Sequence, residues 1–143
     1  MSGFSAEWLA LREPIDERAR AAELILPLRK WRGNTERIRV LDLAAGTGAN
    51  LRFLAPLLGG GQVWLLADND PGLLTALPSA MERWASRKGL AIDAGGRRVR
   101  GGAIAAEILT LRCDLSRDLG CLPWEDCRLV TASALLDLVS EAW

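Results

Sequence analysis

The chain contains no histidine and no tyrosine among its 143 residues. Histidine is the usual general base near neutral pH, a member of the serine-hydrolase triad and a frequent zinc ligand. Its absence excludes the histidine-based forms of all three kinds of site within this chain. Any chemistry must therefore use carboxylates, arginine, hydroxyls, thiols, backbone amides or a cofactor.

Cysteine is also scarce, since the chain has only Cys113, Cys121 and Cys127, with no Cys-x-x-Cys spacing among them. An odd set of this kind predicts neither a disulfide framework nor a zinc ribbon, and we expect no metal ion. The pattern favours buried or idle thiols in a reducing cytoplasm.

An excess of charge of either sign is missing, because 18 Lys and Arg residues balance 18 Asp and Glu residues. A neutral chain makes nucleic acid and anionic membranes poor candidates as partners. The N-terminus lacks a basic and then apolar signal peptide, and no apolar run approaches the roughly 20 residues of a membrane helix. We therefore expect a cytoplasmic protein. The preference for arginine over lysine indicates a GC-rich bacterial genome.

Half of the residues are apolar and a quarter are charged, which is typical of a globular domain. Hydrophobic spacing predicts two N-terminal helices, over 5–12 and 15–32, with Pro14 ending the first. Further along, strands and helices alternate, which predicts an α/β fold with a parallel sheet. The predicted strands cover 38–44, 62–67, 106–113 and 127–133, and between or after them we expect helices over 49–58 and 72–87, a hairpin over 90–101 and a helix starting near the last residues.

The most informative stretch is 40–70. Asp42 stands near the end of the first predicted strand, a turn with Gly46 and Gly48 follows, and a helix begins directly after it. The glycines allow a ligand to approach the backbone, and the helix N-terminus offers free N–H groups. Asp68, at the end of the second strand, could accept hydrogen bonds from both hydroxyls of a ribose. Together these features predict a nucleoside bound across the carboxyl ends of the strands.

Two features distinguish between nucleoside ligands. The third glycine of the dinucleotide-binding pattern Gly-x-Gly-x-x-Gly is missing, because Leu51 stands there. Asp42 would repel a pyrophosphate but suits a ligand that carries an ammonium or sulfonium group. An NAD(P)-binding oxidoreductase is therefore disfavoured. A P-loop is excluded, because the chain has no Gly-Lys-Ser or Gly-Lys-Thr.

Four segments together resemble the motifs of class I S-adenosylmethionine-dependent methyltransferases. Val-Leu-Asp-Leu-Ala-Ala-Gly-Thr-Gly at 40–48 resembles the first motif, with Ala44 where the family has glycine. Asp-Asn-Asp-Pro at 68–71 is similar to the second motif, and Cys-Asp-Leu at 113–115 to the adenine segment. Leu-Val-Thr-Ala-Ser-Ala-Leu-Leu at 129–136 resembles the motif on the fourth strand. The resemblance covers about residues 38–139.

The resemblance implies S-adenosylmethionine as the cofactor and a Rossmann-like parallel sheet of strand order 3-2-1-4 flanked by helices. Asp42 and the amides of the glycine turn would hold the methionine end, and Asp68 the ribose. Asp114 and Leu115 would meet the adenine edge. The complete set assigned to the cofactor is Asp42, Ala44, Gly46, Thr47, Gly48, Asp68, Asn69 beside the adenine, Asp114, Leu115 and Ser133 near the sulfonium.

The implied reaction is methyl transfer from the sulfonium to a nucleophile, with a small molecule as the favoured acceptor. Asp137 follows the fourth strand, where it could orient or deprotonate that nucleophile, although a solvated residue is an equal alternative. Arg12, Asp16 or Arg20 of the N-terminal helices could touch the cofactor carboxylate or the acceptor.

Simpler structural roles remain open for the acidic residues. Asp42 could cap a turn, Asp68 could cap the next helix, and Asp114 could belong to a turn. Asp70 is a rival for the ribose role, but its position favours a helix cap. Arg97, with its neighbouring arginines, could sit on a solvated loop.

We divide the chain into an N-terminal helical cap, 1–37, and a Rossmann-like half-domain that binds S-adenosylmethionine, 38–143. The family fold has strands beyond the fourth, so we expect these to be missing and the chain to be the cofactor-binding portion of a longer methyltransferase. The fourth strand would then be an exposed edge, through which a homodimer could form. A non-catalytic cofactor-binding module is the main alternative.

Overall fold

Residues 3–142 are described by a computed structural model, in which helices flank a six-stranded mixed sheet. The chain is therefore an α/β protein, consistent in general with a Rossmann-like fold. The helices are α1 (Ala6–Ala19), α2 (Ile25–Arg32), α3 (Ala49–Leu58) and α4 (Pro71–Lys88). The strands are β1 (Arg37–Leu43), β2 (Gly60–Asp68), β3 (Ala91–Ile92), β4 (Arg98–Gly101), β5 (Ile104–Arg112) and β6 (Leu129–Ala132).

The sheet has the strand order β3-β4-β5-β2-β1-β6. The predicted four-strand order 3-2-1-4 is wrong for the sheet as a whole, because the hairpin strands β3 and β4 join it beside β5 in antiparallel orientation. Gly101 and Gly102, with φ of 145° and 56°, make the tight reversal that brings β4 against β5. The remaining strands, β5, β2, β1 and β6, pair in parallel, so their carboxyl ends meet at one edge.

The N-terminal helices differ from the prediction. Ser5 caps α1 by accepting a hydrogen bond from the Trp8 amide at 3.1 Å, and the helix continues through Pro14. A proline inside a helix removes one hydrogen bond, and here the helix tolerates that loss. Its end comes instead at Arg20, whose ψ of 148° is extended. A 3-10 turn, Ala22–Leu24, then leads into α2.

The two faces of the sheet are covered differently. Helices α3 and α4 cover the first face, and Trp64 of β2 is fully buried there. The second face, with Leu41 of β1, is covered by the segment 113–139, which includes two 3-10 turns, Leu119–Cys121 and Trp124–Asp126. The helix predicted after the fourth strand is absent from the described residues, where 133–142 form turns and bends. Ala134, with a left-handed φ of 59°, is incompatible with the start of a helix there.

A buried polar chain connects α3 to the sheet. The Trp64 Nε1–H donates to Gln62 Oε1 at 2.7 Å, and Gln62 Nε2 donates to the carbonyls of Ala55 and Gly59, both at 2.9 Å. These carbonyls lie at the C-terminal end of α3, where the Ala55 carbonyl also accepts from the amide of the C-cap residue Gly59 at 3.0 Å. Gln62 therefore fixes the axis of α3, and with it the position of the turn from which α3 begins.

Gly96 lets the hairpin approach α4, and we expect Gly96→Ala to destabilise the fold by about 2–3 kcal/mol. A Cβ at Gly96 would lie 2.8 Å from Pro78 Cα, and its φ is +66°. Gly102→Ala is the matched control, because Gly102 has a φ of +56° but nothing among residues 3–142 within 4 Å of the added Cβ. Urea unfolding should give a loss of only about 1 kcal/mol for this control. Equal losses in the two variants would contradict the close approach.

Within the described residues, no helix is both long and apolar enough to span a bilayer.

Candidate functional site

The turn between β1 and α3 is built from residues with left-handed backbone. Ala44, Gly46 and Gly48 have φ of 53°, 56° and 86°. The turn is held at both ends, since the Ala45 amide donates to the Ala67 carbonyl of β2 and the Gly48 amide to the Ala45 carbonyl, at 3.1 and 2.9 Å. The turn therefore lies at the carboxyl ends of β1 and β2, where the sequence predicts it.

Ala44 occupies a conformation that favours glycine, and we expect Ala44→Gly to stabilise the protein by about 0.5–1 kcal/mol. The left-handed region costs a residue with a Cβ about 1–2 kcal/mol, and the greater unfolded-state freedom of glycine offsets part of this gain. Ala80→Gly, within α4, is the control with the opposite sign, because glycine in a helix costs about 1 kcal/mol. Thermal and urea unfolding measure both, and a destabilised Ala44→Gly would contradict the strained backbone.

Asp68 connects the end of β2 to the glycine turn. Its Oδ2 accepts a hydrogen bond from the Gly46 amide at 2.7 Å, and its Oδ1 accepts one from the Asp70 amide at 2.8 Å. Asp70 caps α4 by accepting from the amides of Gly72 and Leu73 at 2.8 and 3.3 Å. The helix-cap prediction for Asp70 is thus confirmed, and capping as the alternative for Asp68 is wrong. A carboxylate has about four lone-pair positions, so Asp68 keeps capacity for further donors.

Asp42 is completely buried on β1, and Asn50 of α3 organises its surroundings. Asn50 Nδ2 donates to Asp42 Oδ1 and to the Thr131 hydroxyl of β6, both at 3.0 Å. Asn50 Oδ1 accepts a hydrogen bond from Arg20 Nη1 at 2.5 Å. Within residues 3–142, the second carboxylate oxygen of Asp42, Oδ2, has no hydrogen-bond partner. A buried polar atom without a partner is costly, so a donor from outside residues 3–142 would stabilise this oxygen.

Burial raises the pKa of Asp42 to about 7. Removal of the carboxylate from water disfavours its charged form, and the negative charge of Asp68 acts in the same direction. The hydrogen bond from Asn50 and the positive charge of Arg20 oppose these effects without cancelling them. The site therefore contains a carboxyl group that changes charge near neutral pH and that a cationic ligand would ionise.

Helix α1 forms one wall of the glycine turn. Glu13 receives two hydrogen bonds from the buried guanidinium of Arg52, both at 2.7 Å, and the Nη1 of Arg52 donates to the Thr47 carbonyl at 2.5 Å. Leu9 Cδ1 lies only 3.5 Å from the place where a Cβ on Gly46 would be. A ligand that contacts the turn must therefore lie beside α1, and Arg20 is the α1-side cation at the site. Arg12 and Asp16 pair with each other on the exposed surface instead.

The residues assigned to the adenine lie at the same edge of the sheet. Asp114 follows β5 and forms a turn, since its Oδ1 accepts from the Ser116 amide and hydroxyl at 3.0 and 2.6 Å. These bonds lower the pKa of Asp114. Leu115 is buried in the second core, and Asn69 is exposed after β2. The turn alternative for Asp114 is thus observed, and its second oxygen, Oδ2, lies 3.6 Å from Arg117.

A cavity of about 490 Å³ opens beside β6 on the second face. Its lining is mostly apolar and includes Leu43, Val130 and Leu135, with Thr131 and Asp137 as the polar members. Thr131 also belongs to the Asn50 hydrogen-bond network, and it pairs with Asp42 in the sheet, so β6 lies between the cavity and the buried carboxylate. Ser133, the remaining predicted residue, is half-buried just after β6. Among residues 3–142, no group of three or more His, Cys, Asp or Glu is arranged to hold a metal ion.

Sequence reasoning missed the residue that connects the site. Asn50 touches partners at positions 20, 42 and 131, which only the tertiary fold brings together. The available signal was the pair Asn50 and Arg52 on a helix that is otherwise apolar, because polar residues on a buried face need partners.

Neither a scan against protein-family models nor a search of curated proteins finds a match for this chain.

Proposed function

We propose that this edge binds S-adenosylmethionine and that the chain acts in methyl transfer, as the enzyme or as its cofactor-binding portion. The observation that carries the proposal is the fully buried Asp42 next to the glycine turn, because one of its carboxylate oxygens has no partner among residues 3–142. A ligand with an ammonium group would satisfy that oxygen once the side chains that cover it move apart, and S-adenosylmethionine has such a group on its methionine end. The negative charge of the same carboxylate would repel a pyrophosphate.

The remaining residues fit the other parts of this cofactor. Asp68 lies 2.7 Å from the Gly46 amide and has lone pairs left for two ribose hydroxyls. Asn69 and the segment of Asp114 and Leu115 follow the next strands along the same edge, on the side where the adenine would lie. Ala44, Thr47 and Gly48 complete the turn around the methionine end.

The bound cofactor would supply an electrophilic methyl group on its sulfonium, so the protein need only position the two reactants and stabilise charge. The cavity beside β6 is the place for the acceptor, and its mainly apolar walls suit a small molecule. Asp137 lines that cavity and is the carboxylate available to take a proton from the acceptor. This division of labour needs no histidine.

Calorimetric titration of the purified chain with S-adenosylmethionine, S-adenosylhomocysteine and NAD tests the ligand class. We expect the first two to bind and NAD not to bind. Binding of NAD alone would instead support a nucleotide-dependent oxidoreductase. Tight binding of the first two ligands without turnover on any acceptor would favour a cofactor-binding module.

A further inference from the structure

Two cysteine thiols meet at one backbone oxygen on the second face of the sheet. Cys113 directly follows β5 and is 4% exposed, whereas Cys121 ends the 3-10 turn Leu119–Cys121 and is exposed. Both thiols donate to the carbonyl oxygen of Asp118, Cys113 at 3.3 Å and Cys121 at 3.1 Å. The separation of the two sulfur atoms therefore cannot exceed the sum of these two distances.

The loop between the two cysteines is folded by its own hydrogen bonds. The Asp114 carbonyl accepts from the amides of Arg117 and Asp118, both at 3.0 Å. Asp118 Oδ1 accepts from the Gly120 amide, also at 3.0 Å. These bonds hold the loop closed while both thiols are reduced, so the entropic cost of bringing the sulfur atoms together is already met.

The two thiols differ in reactivity in a way that suits an ordered reaction. Burial is the main cause that raises the pKa of Cys113 to about 12, and a hydrogen bond with the Cys121 thiol adds to it. A buried thiol of this kind is a poor nucleophile by itself. Cys121 is exposed, so an oxidant reaches it first, and Cys113 is then the thiol next to it.

We propose that Cys113 and Cys121 form a reversible redox pair that closes as a disulfide. The Cys121 thiolate attacks one sulfur of a small-molecule disulfide, which forms a mixed disulfide and releases one small thiol. The Cys113 sulfur then attacks Cys121 Sγ and expels the second small thiol. Two protein S–H bonds and one small S–S bond break, one protein S–S bond forms, and the two protons end on the released thiols.

The ring that this disulfide closes contains Asp114 and Leu115. Oxidation therefore constrains the segment assigned to the adenine. The effect on the ligand rests on the proposed function, and we expect oxidation to weaken S-adenosylhomocysteine binding at least threefold. Equal affinities of the oxidised and reduced forms would overturn this coupling. If neither the oxidised nor the reduced form binds S-adenosylhomocysteine, the proposed function is wrong. The position of the crosslink is measured without ligand and does not depend on either binding result.

The direct test treats the folded chain with oxidised glutathione and then blocks the remaining thiols with an alkylating reagent. Cleavage after Arg112, Arg117 and Glu125 places the three cysteines on separate peptides. We expect one alkylated cysteine, Cys127, and one crosslink that joins Cys113 to Cys121. Three alkylated cysteines, a crosslink to Cys127 or disulfide-linked dimers as the main product would overturn the pair.

Two variants keep the test independent of folding. Cys127→Ser is the matched control and should form the crosslink at the wild-type rate, because Cys127 takes part in neither bond to the Asp118 carbonyl. Cys121→Ser replaces an exposed thiol, so we expect it to fold and to lose the intramolecular crosslink. A crosslink that persists in Cys121→Ser would contradict the assignment.

Discussion

Replacing Asp42 with asparagine is expected to stabilise the fold at pH 8 and, at the same time, to weaken binding of S-adenosylhomocysteine. The pKa of Asp42 is about 7 in the folded chain, compared with 3.8 for the unperturbed group. The folded state therefore binds the proton more tightly, and stability falls as the pH rises from about 4 to about 7. Above pH 7 the chain carries the full cost of a buried charge, which Asp42→Asn removes.

We expect a gain of about 1–3 kcal/mol at pH 8, and little difference from the wild type at pH 4. Urea unfolding at the two pH values measures both. Asp126→Asn, which removes an exposed carboxylate on a 3-10 turn, is the matched control and should change stability at neither pH. A variant that is less stable than the wild type at pH 8 would contradict the raised pKa.

The binding effect of Asp42→Asn has the opposite sign. A hydrogen bond between two charged groups contributes about 1.5–3 kcal/mol, so loss of the carboxylate should weaken binding by about tenfold or more. For the wild type, affinity should rise roughly tenfold from pH 6 to pH 8, because the ligand ammonium binds the ionised form of a group that titrates near pH 7. Binding that is independent of pH over this range would show that Asp42 does not meet the ligand charge.

The second large effect is expected for Asp68→Ala, which should lower affinity for S-adenosylhomocysteine by about 10- to 100-fold. The change removes the acceptor assigned to the ribose and releases the Gly46 amide, to which Asp68 Oδ2 is bonded at 2.7 Å. The glycine turn therefore loses one of its two bonds to β2 in addition to the direct contact, while the bond from the Ala45 amide to the Ala67 carbonyl remains.

Asp70→Ala is the control that separates binding from stability. It removes the N-cap of α4, which should cost about 1 kcal/mol of unfolding free energy, and we expect affinity to stay within twofold of the wild type. Calorimetry at a temperature where both variants are folded makes the comparison. If Asp70→Ala loses as much affinity as Asp68→Ala, the assignment of the ribose to Asp68 is wrong.

The parts of the fold that the sequence predicts well are those set by neighbouring residues. The buried strands around Val40 and Trp64 and the glycine turn follow from local apolar runs and local backbone needs. The prediction that Pro14 ends the first helix is wrong, because a proline removes only one helical hydrogen bond. The rest of α1 keeps its own hydrogen bonds, and the ion pair between Glu13 and Arg52 anchors the helix. Addition of the hairpin to the sheet depends on pairing between β4 and β5, which no periodicity encodes.

The candidate site also combines features set by neighbouring residues with features that depend on distant residues. Asp42, Gly46 and Asp68 can be predicted, because a strand end, a turn and a second strand end are local patterns. Their burial and hydrogen bonds depend on residues that are distant in the chain. Asn50, which joins Arg20 to β1 and β6, becomes visible only when the sheet is assembled.

The most direct test of the proposed site is a titration of the ¹⁵N-labelled chain with S-adenosylhomocysteine, followed by amide resonances. We expect large shifts for Gly46 and Gly48, in the turn between β1 and α3, and for Leu115. Gly89 and Gly102, which follow α4 and β4 at the opposite edge of the sheet, should stay in place. Unchanged spectra at millimolar ligand, or shifts confined to Gly89 and Gly102, would contradict the central claim that the cofactor lies across Asp42 and Asp68.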